Sequence, residues 1–313
     1  MVNLDYQSLF SEKRCFLCGV ELKKENGTKE HIFPEWLLHK YNLWDRKIAL
    51  LNETHIPYRY LTVPCCASCN SGELARLEQE IKLVVDSGFG AVARLEKLRL
   101  YQWIGKIFFG LLFRELSLSL DRSRPELGSI TTAKLMQNYL ALHRFLQSTI
   151  NPIEFQRFFP GSIFIFEVEF LSELDQFDYS DSLEFMAFCL RMGNIGIVAC
   201  LKDDEQVYDS LSEIYQAVKD VKLHPIQYDE LCAIIFYQAS IMVRDGKYIS
   251  ITTPENKTTI SKVPGYSIAS VFDDWNYEIF ARFLEKFWSK WGISYDEIFV
   301  PPNSTRTYLG EYI

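Results

Sequence analysis

Residues 26–41 read NGTKEHIFPEWLLHKY, so an acid, a histidine and a proline lie close together between two cysteine pairs. Cys15 and Cys18 form the upstream pair in CFLC, and Cys66 and Cys69 form the downstream pair in CASC. Both pairs have the C-x2-C spacing at which short turns present thiolates to tetrahedral zinc. We therefore predict a structural zinc site with these four cysteines as ligands.

The remaining cysteines have other interpretations. Cys65 precedes the downstream pair and could replace Cys66 after a small shift of the chain, although the spacer of the first pair favours Cys66. Cys189, Cys200 and Cys232 occur singly in apolar runs, where a free cysteine packs as a small hydrophobic side chain. Clustered cysteine pairs in a reducing compartment indicate metal ligands rather than disulfides.

Composition and charge limit the class of protein. The chain has 313 residues, enough for two domains, and its hydrophobic content of 48% excludes a largely disordered protein. Its net charge of −8 is uneven, because residues 1–100 hold 14 basic and 13 acidic side chains and the remainder holds 19 and 28. The acidic excess therefore belongs to the C-terminal part, which argues against that part as a DNA clamp.

No pattern in the sequence indicates a membrane segment. The first residues, MVNLDYQSLFSEKRC, lack the basic and apolar regions of a signal peptide. The most apolar stretch, residues 101–116, contains Lys106 and Arg114 and is too short to span a bilayer. It predicts a buried or amphipathic helix, and we expect a cytoplasmic protein.

The hydrophobic pattern predicts an α+β fold in two domains. Residues 1–90 form a module with almost no core of its own, in which Pro34 starts a short helix and a longer helix begins near Ser71. Residues 91–150 are predicted to be helical, and residues 151–313 mix strands and helices. The short connections predict that most of these strands are antiparallel.

The hydrophobic pattern also predicts individual strands and helices of the second domain. Strands are predicted at residues 161–170, 182–193 and 194–203 and as a pair within 247–263, and helices at 204–221, 228–243 and 276–291. No motif in this domain indicates a reaction.

Three segments, CFLCG, KEHIFPEWLL and VPCCASCNSGELARLE, together resemble the zinc-ribbon-containing bacterial type of HNH endonuclease, also called His-Me finger or ββα-metal. In that family a cysteine pair, an acid-His-x-x-Pro motif and a second cysteine pair follow in this order. The last cysteine precedes a His or Asn that opens a helix. The resemblance covers about residues 14–85 and implies a ββα-metal module for that part alone.

The resemblance implies catalytic roles for three residues. His31 is the general base that activates water, and Glu30 and Asn70 hold one Mg²⁺ or Mn²⁺ against the scissile phosphate. These residue types suit the reaction, because neutral imidazole accepts a proton near pH 7 and a hard cation prefers oxygen ligands. Neighbouring strand residues point to opposite faces, so Glu30 and His31 need a bend or a strand end, which Pro34 can supply, to serve one site.

Several positions depart from the family pattern. Glu30 stands where the family usually has Asp, and Leu61 stands at the place of the middle asparagine that orients the base. Asn52 or His55 could take over that role. Glu78, on the helix that follows the last cysteine, is either an additional metal ligand or a side chain that faces solvent.

These observations predict a metal-dependent endonuclease that hydrolyses phosphodiester bonds in DNA, with structural zinc and catalytic Mg²⁺ or Mn²⁺. The C-terminal domain would then choose a target, a protein partner or a second copy of the chain. The resemblance also implies a role in phage defence or in a mobile element. Two alternatives stay open, namely a non-catalytic zinc module that binds nucleic acid or a protein, and an RNA substrate.

Overall fold

The chain forms two compact units. The computed structural model describes residues 11–116, 118–121, 123–128, 133–172, 176–243, 246–255, 257–264 and 270–310. The first unit consists of Met1–Asp86, Glu96–Glu154 and Thr252–Thr259, and the second of Ser87–Leu95, Phe155–Ile251 and Ile260–Ile313. Residues 96–154, which the sequence analysis assigned to the second domain, therefore lie in the same unit as the cysteine pairs.

Helices and strands both contribute to the described residues, which confirms the predicted α+β class. The helices are α1 Glu35–Lys40, α2 Ala75–Asp86, α3 Phe89–Val92, α4 Lys97–Leu116, α5 Ala133–Leu146, α6 Gln206–Ser210, α7 Ser212–Val218, α8 Pro225–Ser240, α9 Tyr277–Trp288 and α10 Tyr295–Ile298. The strands are β1 Gly27–His31, β2 Lys47–Ala49, β3 His55–Pro57, β4 Thr62–Cys66, β5 Ile153–Gln156, β6 Ser162–Val168, β7 Phe177–Ser182, β8 Ala187–Met192, β9 Ile195–Cys200, β10 Lys222–Leu223, β11 Tyr248–Thr252, β12 Thr258–Lys262, β13 Phe299–Val300 and β14 Ser304–Thr305.

A two-stranded antiparallel ribbon carries the acid-histidine motif of the first unit. β1 pairs with β4 so that Gly27 lies opposite Cys66 and His31 lies opposite Thr62. The hairpin of β2 and β3 occurs in the connection between these strands, and α2 follows β4 after an irregular helical turn. Ribbon and helix thus occur in the order strand, strand, helix that a ββα module requires.

Local sequence sets the ends of α1 and α2. Pro34 precedes α1 with φ −53° and ψ 141°, because its ring fixes φ and it has no N–H to donate. Cys69–Leu74 forms a π-helical turn that is interrupted at Gly72, so regular α-helix begins only at Ala75. Gly88, with φ +90°, follows the end of α2 in a conformation that glycine adopts without strain.

α4 is buried along nearly its whole length, and two of its glycines allow other segments to approach closely. A Cβ atom at Gly105 would lie 2.4 Å from Leu146 Cδ2, and one at Gly110 would lie 3.0 Å from Ile32 Cγ1. The residue after β1 and the end of α5 therefore pack directly against α4. No helix in the described part of the chain, α4 included, combines the length and the apolar character needed to cross a membrane.

The second unit is built on a five-stranded sheet with the strand order β10-β6-β9-β8-β7. β6, β9, β8 and β7 pair antiparallel with their neighbours, whereas β10 pairs parallel with β6. β6, β8 and β9 coincide with predicted strands, and Cys189 and Cys200 on them are buried as expected. The sequence analysis did not predict β7, because FDYSDS is polar and lies at the sheet edge, where most of its side chains are half-buried.

A hydrophobic core joins this sheet to α8 and α9. It includes Phe164 from β6, Val198 from β9, Leu231 from α8 and Trp288 from α9. Burying a large apolar side chain of this kind stabilises the fold by about 1.5–3 kcal/mol. The predicted helix at residues 204–221 forms two short helices, α6 and α7, instead of one.

A buried carboxylate makes the stability of the second unit depend on pH. Glu230 in α8 is 2% exposed and accepts a hydrogen bond of 2.7 Å from the backbone N–H of Tyr308. Burial raises the pKa of Glu230 to about 7, and hydrogen bonds from Thr307 and Tyr308 oppose this only in part. The unfolded chain loses this proton at a lower pH than the folded chain, so the free energy of unfolding decreases as pH rises through about 7.

We expect the Glu230→Gln variant to lose less stability than the wild type between pH 5 and pH 8. The difference should be about 2.5 kcal/mol, since glutamine does not ionise, each pKa unit corresponds to about 1.4 kcal/mol, and the unfolded carboxyl is already mostly ionised at pH 5. Urea unfolding at pH 5, 6, 7 and 8 measures it. Glu213→Gln changes an exposed carboxylate on α7 and should follow the wild type. Parallel pH curves for Glu230→Gln and the wild type would contradict this assignment.

Candidate metal centre

Four cysteine thiols of the first unit meet at one point. The sulfur atoms of Cys15, Cys18, Cys66 and Cys69 all lie within 4.8 Å of one another, and those of Cys18 and Cys66 are 3.7 Å apart. Tetrahedral zinc with Zn–S bonds of about 2.3 Å requires sulfur atoms about 3.8 Å apart. The four thiols therefore fit a zinc ion, as the sequence analysis predicted.

Two tight turns present these thiols. In the first turn, the N–H of Cys15 donates to Val20 O at 2.9 Å and the N–H of Gly19 donates to Cys15 O at 2.9 Å. Gly19 has φ +72°, which explains why glycine follows the first pair. In the second turn, at the end of β4, the N–H of Cys69 donates to Cys66 Sγ at 3.4 Å.

Cys66 rather than Cys65 belongs to this group. Cys65 is fully buried on β4, and its sulfur lies 3.9 Å from the sulfur of Cys15. The hydrogen bond with Cys15 and burial raise the pKa of Cys65, so this side chain favours the neutral thiol. The geometry thus supports the predicted choice between the two residues.

α5 and the residue after it hold the first cysteine turn by hydrogen bonds to Leu17. Nε2 of His143 lies 2.8 Å from Leu17 O, and Nε2 of Gln147, directly after α5, lies 2.6 Å from the same oxygen. Burial lowers the pKa of His143, so the ring is neutral, and it donates Nε2–H because a carbonyl can only accept. This contact was not predictable from residue types, because Leu17 offers only its backbone.

His31 ends β1 on the half-exposed face of the ribbon. Its Nε2 lies 3.2 Å from Arg59 O, and its Nδ1 lies 3.3 Å from a carboxylate oxygen of Glu35. The ring of Trp44 lies 5.9 Å away between centroids. Because Arg59 O can only accept, its contact is a hydrogen bond when Nε2 carries the proton, and Nδ1 then has its lone pair towards the Glu35 carboxylate.

The carbonyl of Arg59 contacts the His31 ring, where the sequence analysis suggested Asn52 or His55. Asn52 accepts a hydrogen bond from the N–H of Thr54, and His55 contacts Glu53 O, so neither suggested substitute reaches His31. A backbone carbonyl leaves no side-chain signature, which is why the sequence analysis missed it.

Glu30 lies on the opposite face of β1 from His31 and turns into the protein. It is 6% exposed, and its Oε1 lies 2.6 Å from Nζ of Lys106 in α4. Lys106 also lies 2.7 Å from Glu78 Oε1 and 2.6 Å from the carbonyl oxygen of His31. β1 ends at His31, and both residues still belong to the strand, so their side chains point to opposite faces. Glu78 is half-buried and pairs with Lys106, whereas the sequence analysis offered a metal ligand or a side chain that faces solvent.

Burial and proximity set the charges of this cluster. Burial alone would lower the pKa of Lys106, but the negative charges of Glu30 and Glu78 raise it above its ordinary value. Burial raises the pKa of Glu78, and the charge of Lys106 opposes this only in part. Lys106 therefore stays charged at neutral pH.

Asn70 connects the turn after the second cysteine pair to β1. Its Nδ2 donates to Thr28 Oγ1 at 3.0 Å and to Lys29 O at 3.1 Å. With Glu30 buried against Lys106, its carboxylate does not fit a Mg²⁺ or Mn²⁺ site in this arrangement, whereas the contacts of Asn70 use only its amide nitrogen. A catalytic cation at Glu30 and Asn70 stays a prediction.

A groove runs along the outer face of the ribbon beside His31, with a volume of about 670 Å³. Its lining includes the basic side chains of Lys29, Arg59 and Arg114 and the exposed ring of Tyr60. Arg59 also pairs with Asp45 and lies over the Tyr60 ring at 4.7 Å from its centroid. The acid Glu12 also lines the groove, 4.0 Å from Arg114, so the groove offers partly paired cations and an aromatic face next to the imidazole of His31.

Comparisons of this chain with protein-family models, with curated proteins and with solved structures give no match. The likeness to HNH endonucleases consequently stays a resemblance of motifs. The zinc interpretation stands on the geometry of the four thiols, and the interpretation of His31 stands on its contacts and on the groove.

We expect the purified protein to contain about one zinc ion per chain, because the four thiols satisfy the tetrahedral geometry. Cys66→Ser should lose at least nine tenths of this zinc, whereas Cys65→Ser, the matched control, should retain it. Metal analysis after dialysis against a weak chelator measures both. Equal zinc loss in the two variants would mean that the site needs Cys65 as much as Cys66 and would contradict this ligand assignment.

Proposed function

We propose that the first unit is a zinc-stabilised, HNH-type endonuclease module that hydrolyses phosphodiester bonds in DNA, with His31 as the general base. The observation that carries this proposal is the setting of His31. One ring nitrogen is fixed by Arg59 O, and the other keeps a lone pair beside a groove lined by basic side chains.

The contacts of His31 suit proton transfer from water. The bond from Nε2–H to Arg59 O at 3.2 Å selects one tautomer and leaves Nδ1 as the basic nitrogen. The carboxylate of Glu35, 3.3 Å from Nδ1, would stabilise the imidazolium that forms when a proton is accepted. A base positioned in this way contributes roughly 10²–10⁴-fold to a rate.

The groove supports a polyanionic substrate. Lys29, Arg59 and Arg114 can contact phosphates, and Tyr60 can stack on a base. Such contacts do not depend on the base sequence of the nucleic acid. They therefore fit cleavage whose target is chosen by another part of the protein or by a partner. A hard cation from solution would neutralise charge on the phosphate, and the residues described here bind the substrate, orient the base and accept the proton.

A non-catalytic nucleic-acid-binding module is the second candidate. The pairing of Glu30 with Lys106 favours it, since the acid of the motif is not available to a cation in this arrangement. In either case, the acidic second unit would select a target, a protein partner or a second copy of the chain. A role in phage defence or in a mobile element rests on the resemblance alone.

The test of the proposal is nicking of supercoiled plasmid in the presence of Mg²⁺ or Mn²⁺. We expect His31→Ala to reduce the rate at least 100-fold, because the general base is removed. His55→Ala, which changes an exposed histidine of the same unit, should stay within about twofold of the wild type. Zinc content and melting temperature should be unchanged in both variants.

The other outcomes separate the alternatives. DNA binding in a gel-shift assay without cleavage by the wild type would support the non-catalytic module. Faster cleavage of RNA than of matched single-stranded and duplex DNA would replace DNA as the substrate. Equal nicking by His31→Ala and the wild type would remove His31 as the base.

A further inference from the structure

A charged side chain in the most apolar helix of the chain requires an explanation. Lys106 lies in the middle of α4 and is 2% exposed. Burying an ammonium group is costly unless its charge is balanced and its hydrogens are bonded. Lys106 meets both conditions, through carboxylates from two other segments and through the backbone that ends β1.

The donors of Lys106 reach two segments of the first unit, namely β1 with the residue that follows it and α2. Its Nζ lies 2.6 Å from Glu30 in β1, 2.7 Å from Glu78 in α2 and 2.6 Å from the carbonyl oxygen of His31. The carbonyl oxygen of Ile32 lies slightly further away, at 3.3 Å. An ammonium group has three hydrogens, so these contacts use its full capacity. The end of β1 is thus fixed from inside the protein.

We infer that Lys106 is a positioning residue for His31, and that Glu30 is the counter-ion of Lys106 rather than a ligand of a catalytic cation. The inference about catalysis rests on the proposed function, whereas the inference about position rests on the contacts alone. Lys106 holds the carbonyl of His31 on one side of the strand, and Arg59 O holds the imidazole on the other. If Lys106 no longer held the carbonyl of His31, the imidazole of His31 could lose its contact with Arg59 O.

The two possible roles of Glu30, cation ligand and counter-ion of Lys106, predict different effects of the substitution Glu30→Gln. A cation ligand must be free of other cations, whereas the Glu30 carboxylate is buried against Lys106. Glutamine at this position keeps an oxygen that accepts from Lys106, and Glu78 still balances the charge. Glu30→Gln should therefore preserve the position of His31, although it removes the charge that a divalent cation needs.

The first experiment uses Glu30→Gln in the full-length, zinc-loaded protein. We expect its plasmid-nicking rate and its Mn²⁺ affinity, measured by electron paramagnetic resonance, to stay within about threefold of the wild type. A loss of 100-fold in rate together with a loss of tenfold or more in Mn²⁺ affinity would make Glu30 a cation ligand and overturn the inference.

The second experiment removes Lys106 without leaving unpaired buried charges. In the variant Glu30→Gln/Glu78→Gln/Lys106→Met, we expect the nicking kcat to fall 10–100-fold while KM stays within about twofold. Lys82→Met, which changes an exposed lysine on α2, is the matched control and should keep both constants.

A readout that does not depend on cleavage separates this inference from the proposed function. Nitrogen-edited NMR of the histidine rings, with the His31 signal identified from a His31→Gln sample, reports the tautomer. We expect the Nε2–H tautomer in the wild type and a mixture of both tautomers in the triple variant. An unchanged tautomer in a folded triple variant would overturn the positioning role even if the wild type cleaves no DNA. Should the triple variant not fold, the Glu30→Gln result decides the inference.

Discussion

The first unit depends on four thiols that two distant turns bring together. Cys15 and Cys18 lie near the start of the described chain, and Cys66 and Cys69 lie at the end of β4. The ribbon between them has only two strands and is too small to be stable alone in water. A zinc ion at this point would join the first turn to the ribbon and fix both to the helix that follows.

Strand geometry then separates two neighbouring residues into different roles. Because side chains alternate along β1, Glu30 points to α4 and His31 points to the groove. The ion cluster on one side and the imidazole on the other are connected through a single peptide unit. The motif therefore places a buried ion pair and a half-exposed imidazole on opposite faces of one strand.

Part of this organisation was predictable from the sequence. Cysteine spacing predicts the ligand set, because a tetrahedral ion imposes one geometry on many chains. Hydrophobic runs predict β6, β8, β9 and the long helices, since burial dominates there. A polar edge strand such as β7 and an irregular start such as Cys69–Leu74 depend on neighbours that the local sequence does not contain.

The contacts around His31 were less accessible to sequence reasoning. The carbonyl of Arg59 belongs to the backbone and leaves no trace in residue type. The partners of Lys106 are far away in the chain, although a lysine within such an apolar run already indicates a buried ion pair. The sequence analysis noted this lysine only as evidence against a membrane span and did not ask which acids balance its charge.

The division of the chain into units bears on whether residues 1–90 could keep their structure without the rest of the first unit. A fragment that stops at residue 90 contains every residue of the HNH-like motif, yet it lacks α4 and α5. Such a fragment would leave Glu30 without its ammonium partner and Leu17 without the donors that hold the first cysteine turn. The motif is therefore not a self-sufficient cassette, and any recombination that moved it to another protein would have to carry these two helices with it.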